Sequence, residues 1–456
     1  MNIGMTSVNE ATDAERYPTL TDAGRRMLAF LREHPAAPQY RNRSGNRLLA
    51  AEVALAREYE RTIPLEPFGW RPGEEPAWLQ PFIEATFQRV PFYRAQGPAP
   101  ATLAELPTIS RADLARDIVP FVPDDADAAR LLNFRTTGTT GHPLQVPSHP
   151  LVAARYLAYH KRALRRFGVE LRHGAGQVGV VLLGFQQRCF TYVSVTPTMG
   201  ESGLAKLNLH PNDWRDPADR ARYLDALAPE VISGDPISFA ELLRLPLTWR
   251  PRALLSVSMQ LLPGLRRELE ARFDCPVLDI YSLNEVGPVG VFDEDRGGHV
   301  LLQPGLYVEI LDAAGAPVPP GARGEVTVSG GFNTCLPLLR YRTGDFASLH
   351  DDEADDEPVL CDLSGRAPVR YRRADGSWVN NIDVTHALQA LPLAHFTVHQ
   401  AAGGAVTLRL DANGLRWQPQ ATAALAQLLG AAPRVEPLTE EGKVVQYTSD
   451  LPEALR

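Results

Sequence analysis

Residues 134–143 read FRTTGTTGHP, which sets four threonines and two glycines within ten positions. Glycine lets the backbone approach a ligand closely, and threonine hydroxyls with successive amides offer donors. Thr136, Thr137, Gly138, Thr139, Thr140 and Gly141 therefore suit a polyphosphate. The stretch is neither a GxxxxGK[ST] loop nor a dinucleotide fingerprint, and a plain turn is the commoner use of such residues. A second candidate is Glu285 in YSLNEVGP, directly after the apolar run VLDIY. One carboxylate at a strand end is enough to hold Mg²⁺ against nucleotide phosphates, although a solvated loop glutamate looks the same in sequence. A third is Asp345 in LLRYRTGDF, able to accept two hydroxyl protons from a sugar, with a turn salt-bridged through Arg340 and Arg342 as the alternative. The fourth, Lys443 in EEGKVVQ, could meet charge developing on phosphate, or could be one more surface lysine.

These residues need a scaffold. Between residues 150 and 285 amphipathic segments (LVAARYLAYHKRALRRFG, RDPADRARYLDALA, GLRRELEARF) alternate with apolar runs (VGVVLLG, EVISG, ALLSVS, PVLDIY). That alternation predicts a parallel sheet covered on both faces, whose ligands bind beyond the carboxyl ends of the strands. Residues 300–330 turn strand-rich and predict a β subdomain, and the last ninety or so residues mix short strands with two helices. Three amphipathic stretches precede residue 94 and predict helices packed on the surface. The expected organisation is a helical extension over 1–75, a large α/β region over 76–365 and a small α+β unit over 366–456.

Composition narrows the function. A chain with 44% hydrophobic and 22% charged residues is built to fold around a core, and its net charge of −8 argues against nucleic-acid and anionic-membrane partners. The carboxylate-rich run HDDEADDEP at 350–358 reads as a solvated loop. Cys189, Cys275, Cys335 and Cys361 form no CxxC pair and signal neither a disulfide framework nor a zinc site. With no apolar leader and no membrane-length apolar run, the expectation is a cytoplasmic protein.

Taken in order, the four motifs resemble those of the adenylate-forming superfamily, the acyl- and aryl-CoA ligases and their relatives, and most of all its phenylacetate-CoA ligase branch. RVPFYRAQ followed by LAELPTISRADL is similar to the start of that branch. TTGTTGHP is similar to its phosphate loop, IYSLNE to its YGxTE loop, and LLRYRTGD to its RYRTGD segment. The resemblance implies an α/β adenylation domain with a β subdomain and a mobile α+β lid, using ATP and Mg²⁺ on a carboxylic acid. It further implies that residues 136–141 cradle phosphates, Tyr281 lies against adenine, Glu285 holds Mg²⁺ and Asp345, helped by Arg366, takes the ribose hydroxyls. Lys443 would bridge the carboxylate and the α-phosphate, and a thiol such as CoA, a carrier-protein arm or an amine would accept the acyl group. Relatives of this family also form homodimers.

Departures from the family pattern are local. Ser282 and Asn284 stand where the YGxTE loop has glycine and threonine, and Ser258, Met259 and Gln260 replace a small-residue stretch beside adenine and the acid. Ala367 and Pro368 follow Arg366 at the hinge, where proline restricts rotation. The acid pocket is expected from Phe185, Gly234, Pro236, Phe239 and Met259, with an aryl acid as the expected substrate. A binding protein of this fold with little catalysis is the alternative from a different class.

Overall fold

The computed structural model describes residues 11–135, 144–351, 357–365 and 369–451. The phosphate-loop candidates Thr136 to Gly141, most of the acidic run and the hinge residues Arg366, Ala367 and Pro368 lie outside the described residues.

The alternating region folds as its pattern dictates. Val277–Leu283, Ala253–Val257, Val231–Gly234, Val178–Gly184 and Ser202–Asn208 lie side by side and parallel, with Tyr192–Thr196 antiparallel at the edge. Continuous apolar runs serve here because helices cover both faces. One face packs Val181, Leu183, Ala205 and Leu207 against Leu224, Leu265 and Phe273. The other packs Leu255, Leu278 and Ile280 against Ala158, Tyr159 and Ala163 of the Pro150–Arg166 helix. Tyr17, Met27 and Leu31 of the N-terminal segment join the first of these cores, so its helices contribute buried side chains and do not merely decorate the surface. Glu201 fixes that segment by accepting from the backbone N–H groups of Thr21 (2.9 Å) and Gly24 (3.0 Å) at the start of the Asp22–Glu33 helix.

Beyond Val277–Leu283 the sheet continues antiparallel through Gly287–Asp293, Gly298–Leu301, Val359–Gly365, Leu338–His350, Arg323–Gly330 and Leu306–Leu311. The two-residue strand Ile109–Ser110 pairs parallel with Leu338–His350, setting Ile109 opposite Tyr341 and Ser110 opposite Arg342. A separate four-stranded sheet of Phe396–Gln400, Val406–Leu410, Arg434–Pro437 and Tyr447–Ser449 closes the C-terminal region. With helices Asn381–Leu388 and Gln418–Leu429 it encloses its own core of Phe396, Val398, Leu408 and Leu425, which Leu262 also enters. Next to Leu262 the chain passes so near that Gly264 N–H donates to the carbonyl of Gln389 at 2.8 Å, and a Cβ at Gly264 would sit 2.3 Å from the Leu391 carbonyl carbon. Only glycine permits that contact. Among the described residues no helix is long and apolar enough to cross a membrane.

Candidate active site

Glu285 emerges from the tight connection between Val277–Leu283 and Gly287–Asp293. Gly287 makes that turn with φ of 78°, and a side chain there would meet the Phe332 ring at 2.2 Å. The carboxylate is 4% exposed, yet its two oxygens differ. Oε1 accepts from Arg111 Nη1 (3.3 Å) and from the Tyr341 hydroxyl (3.1 Å), whereas no hydrogen bond from a described residue reaches Oε2. The pairing of Ile109 with Tyr341 explains the arrangement, since it brings the next residue, Arg111, to the same carboxylate. Asn333 binds the Glu285 loop to the strand Gln145–Ser148, donating from Nδ2 to the carbonyls of Pro147 (3.1 Å) and Glu285 (3.3 Å).

No cluster of three or more His, Cys, Asp or Glu side chains fit to hold a metal occurs among the described residues. Mg²⁺ does not require one, because it keeps waters and substrate phosphates as ligands and uses one or two carboxylates. Glu285 Oε2, held at a strand end and not engaged by any described residue, fits that role.

Asp345 lies on Leu338–His350 opposite Gly365, and the Tyr281 hydroxyl donates to its Oδ2 at 2.7 Å. The structure therefore brings together the two residues assigned to the nucleoside end. Burial first, and then the Asp345 carboxylate, raise the Tyr281 phenol well above its ordinary value, so it stays a donor. Arg340 and Arg342 serve the scaffold: Arg340 donates to the Leu106 carbonyl (2.8 Å), and Arg342 pairs with Glu325. Ser282 is half-buried and Asn284 is exposed on the loop before Glu285.

Lys443 reaches out of the C-terminal region and donates from Nζ to the Ser258 carbonyl at 2.9 Å. Ser258 holds a φ of 75°, unusual for a residue with a side chain, and so the carbonyl is presented by a strained turn just after Ala253–Val257. Burial depresses the Lys443 ammonium below its ordinary value, and the nearby Asp235 carboxylate partly offsets this. Asp235 caps the Pro236–Leu242 helix, accepting from Ser238 N–H and Oγ at 2.8 Å each. Met259 is half-buried and Gln260 exposed beside Ser258.

Of the expected pocket residues, Phe185 stands half-buried at the end of Val178–Gly184 with its ring 5.7 Å from that of His210. Gly234 and Pro236 are buried at the next strand end. Phe239 is 0% exposed and packs in the core under Gly234, a core position instead of the open apolar wall expected of it. The loop after Phe185 is held from a distance. Asn208 clasps Gln186 through both its amide atoms, Asp213 accepts from Asn208 Nδ2 (2.9 Å), and Arg41 pairs with Asp213.

Sequence reasoning missed Arg111, Tyr341, Asn333, Asp235 and Arg41. Arg111 and Tyr341 lie inside ISRADL and RYRTGD, so the signal for them was the motif itself. Asp235 carries a local signal, standing before Pro236 and three residues ahead of Ser238 as a helix cap, whereas Asn333 and Arg41 are tied in by distant contacts that leave no local pattern.

The pattern of the AMP-binding enzyme family matches residues 112–334. Phenylacetate-coenzyme A ligase of Thermus thermophilus is 26% identical over 302 residues, 59% of this chain and 64% of that protein. The ligase of the same name from Aromatoleum evansii is 32% identical over 108 residues, 23% of this chain. The chain thus matches about a quarter of the length of the latter, 24%, and just under two thirds of the former. A solved structure of 2-hydroxyisobutyryl-CoA ligase in its postadenylation state has the same fold, with a TM-score of 0.57 at 16% identity, over 91% of this chain and 93% of that one.

Proposed function

We propose that the chain is an adenylate-forming enzyme, as its match to the AMP-binding enzyme family and its phenylacetate-coenzyme A ligase relatives support, and that it activates a carboxylic acid with ATP to an acyl-AMP and passes the acyl group to the thiol of CoA. The observation that carries this reading is the Lys443 ammonium held 2.9 Å from the Ser258 carbonyl, just past Ala253–Val257, the strand paired with the Val277–Leu283 strand that bears Tyr281 and leads to Glu285. Phenylacetate-coenzyme A ligases among the relatives support an aryl acid.

In this reading the nucleoside end rests on Tyr281 and Asp345, with Asp345 accepting the ribose hydroxyls. Thr136 to Gly141 would offer amides and hydroxyls to the phosphates, and Asn333 ties the Glu285 loop to Pro147. Glu285 would hold Mg²⁺, which when bound neutralises phosphate charge. Arg111 and Tyr341 fix the Glu285 carboxylate by occupying Oε1 and so keep Oε2 turned to the ligand side. Attack of the acid's carboxylate oxygen on the α-phosphorus forms the acyl–phosphate bond, breaks the bond to the pyrophosphate oxygen and builds charge on the phosphoryl oxygens. Lys443 is preorganised to meet that charge. Release of the Gly264 and Ser258 contacts would then let the C-terminal unit withdraw the lysine and admit CoA.

The test is to supply ATP, Mg²⁺, CoA and phenylacetate or related acids and to look for AMP, pyrophosphate and the acyl-CoA by mass spectrometry. AMP and acyl-CoA formed in equal amounts support the reading. Formation of neither by folded protein across the acids removes it.

A further inference from the structure

The parallel sheet is covered unevenly. On one face Val181, Ala205 and Leu207 are 0% exposed, but on the other face Val180, Leu182 and Leu204 remain half-buried although their strands lie inside the sheet. An interior parallel strand is normally sheathed on both faces, so this patch is a cleft that the described residues leave partly open. Lys206 stands in it, opposite Leu182 on one side and Tyr192 on the other.

Lys206 is half-buried, and among the described residues it has no hydrogen bond and no ion pair. A lysine drawn partly out of water without a counter-charge is costly unless a ligand supplies one. The carboxylates around the cleft are committed elsewhere: Asp213 to Arg41 and Asn208, and Asp235 to Ser238 with Lys443 beside it. The Cys189 thiol lies over Gly184, where a Cβ would come within 2.9 Å of Sγ, and Lys206 is near enough to favour its ionised form against burial.

Lys206 lies two residues short of the end of Ser202–Asn208, about 7 Å deeper than the strand end at ordinary strand rise. The Cys189 thiol lies within the fields of both Lys206 and Asp235, and Asp235 is the carboxylate beside Lys443, so the two lysines share one end of the sheet with Lys206 the deeper of the two.

We propose that the acid activated by this chain carries a second anionic group, distal to the reacting carboxylate, which Lys206 recognises in the cleft over Val180, Leu182 and Leu204. This rests on the acid-activating reading above. The test compares phenylacetate with 4-carboxyphenylacetate, and hexanoate with adipate, in acid-dependent exchange of labelled pyrophosphate into ATP. The native protein is expected to favour the doubly anionic member by about tenfold or more in kcat/KM, as a charged hydrogen bond warrants. Lys206→Met should abolish that preference, and Lys206→Arg should keep it. A native preference for the singly charged acids, with the same ratio in Lys206→Met, overturns the proposal while leaving the ligase reading intact. If no acid supports exchange, the ligase reading fails, and calorimetric titration of the same acids decides the matter of Lys206 alone. Binding of 4-carboxyphenylacetate about tenfold tighter to native protein than to Lys206→Met sustains it, and equal binding to both overturns it.

Discussion

Replacing Lys443 by alanine separates the two halves of the reaction. The ammonium sits half-buried against the Ser258 carbonyl, in reach of the Asp235 field, and is already stripped of part of its water. A unit charge about 4 Å from developing phosphoryl charge is worth about 4 kcal/mol at an effective dielectric of about 20. Some of that is lost to desolvation, which leaves roughly 3 kcal/mol, or about 10² to 10³ in rate. The cost to folding should be far smaller. The lost hydrogen bond contributes about 1 kcal/mol, and relief of the desolvated charge offsets it. Lys443→Ala is therefore expected to slow pyrophosphate exchange at saturating ATP and acid by at least about 10²-fold while consuming preformed acyl-AMP and CoA at close to the native rate. Because the protonated lysine is the working form and its proton is lost more easily than in water, exchange in the native protein should fall on the alkaline side below pH 10.5, the ordinary lysine value. Equal losses in both half-reactions, or a matching loss of thermal stability, would refute the assigned role.

Two further perturbations probe the scaffold. Gly264→Val places a branched side chain against the Leu391 backbone, where even a Cβ would sit 2.3 Å away, so docking of the C-terminal unit should weaken by about 1–3 kcal/mol. Exchange should fall roughly tenfold or more, and unchanged exchange would show that this contact is not needed for adenylation. Asp279 is raised from 3.8 to about 7 by burial, against the Leu261 N–H and Arg266, which favour its charge. The folded state thus binds the extra proton between about pH 4 and 7, so native stability declines as pH rises through that window and the penalty is complete above it. Asp279→Asn should flatten this decline and raise stability at pH 8 by at most about 4 kcal/mol. Parallel stability profiles of the two proteins in urea titrations from pH 4 to 8 would contradict the assignment.

Much of this architecture was legible because its signals are local. Strands such as Val231–Gly234 and Ala253–Val257 are apolar throughout, and the helices between them are amphipathic, so the covered parallel sheet follows from the pattern. Glu285 and Asp345 could be found as acids at strand ends and turns. What holds them could not. Arg111 lies 174 positions from Glu285, and Tyr341 lies 56 positions away, and only the pairing of Ile109–Ser110 with Leu338–His350 brings all three together. Phe239 shows the opposite difficulty: an aromatic residue just after a strand end reads equally as pocket wall or as core, and burial beneath Gly234 makes it core. The N-terminal helices read as surface elements because their apolar stripes are short, yet those stripes close the edge of the sheet at Tyr192–Thr196 and Ser202–Asn208.

The central claim is that Lys443, Glu285, Tyr281 and Asp345 form one adenylating site. Acid-dependent exchange of labelled pyrophosphate into ATP, run across aryl, fatty, dicarboxylic and amino acids without any acceptor, tests it most directly. The account predicts exchange that requires both Mg²⁺ and one class of carboxylic acid and that is lost in Lys443→Ala. Absence of exchange with every acid, in protein shown to be folded and to bind ATP, would contradict it and favour a nucleotide-binding protein that has kept the fold without the chemistry.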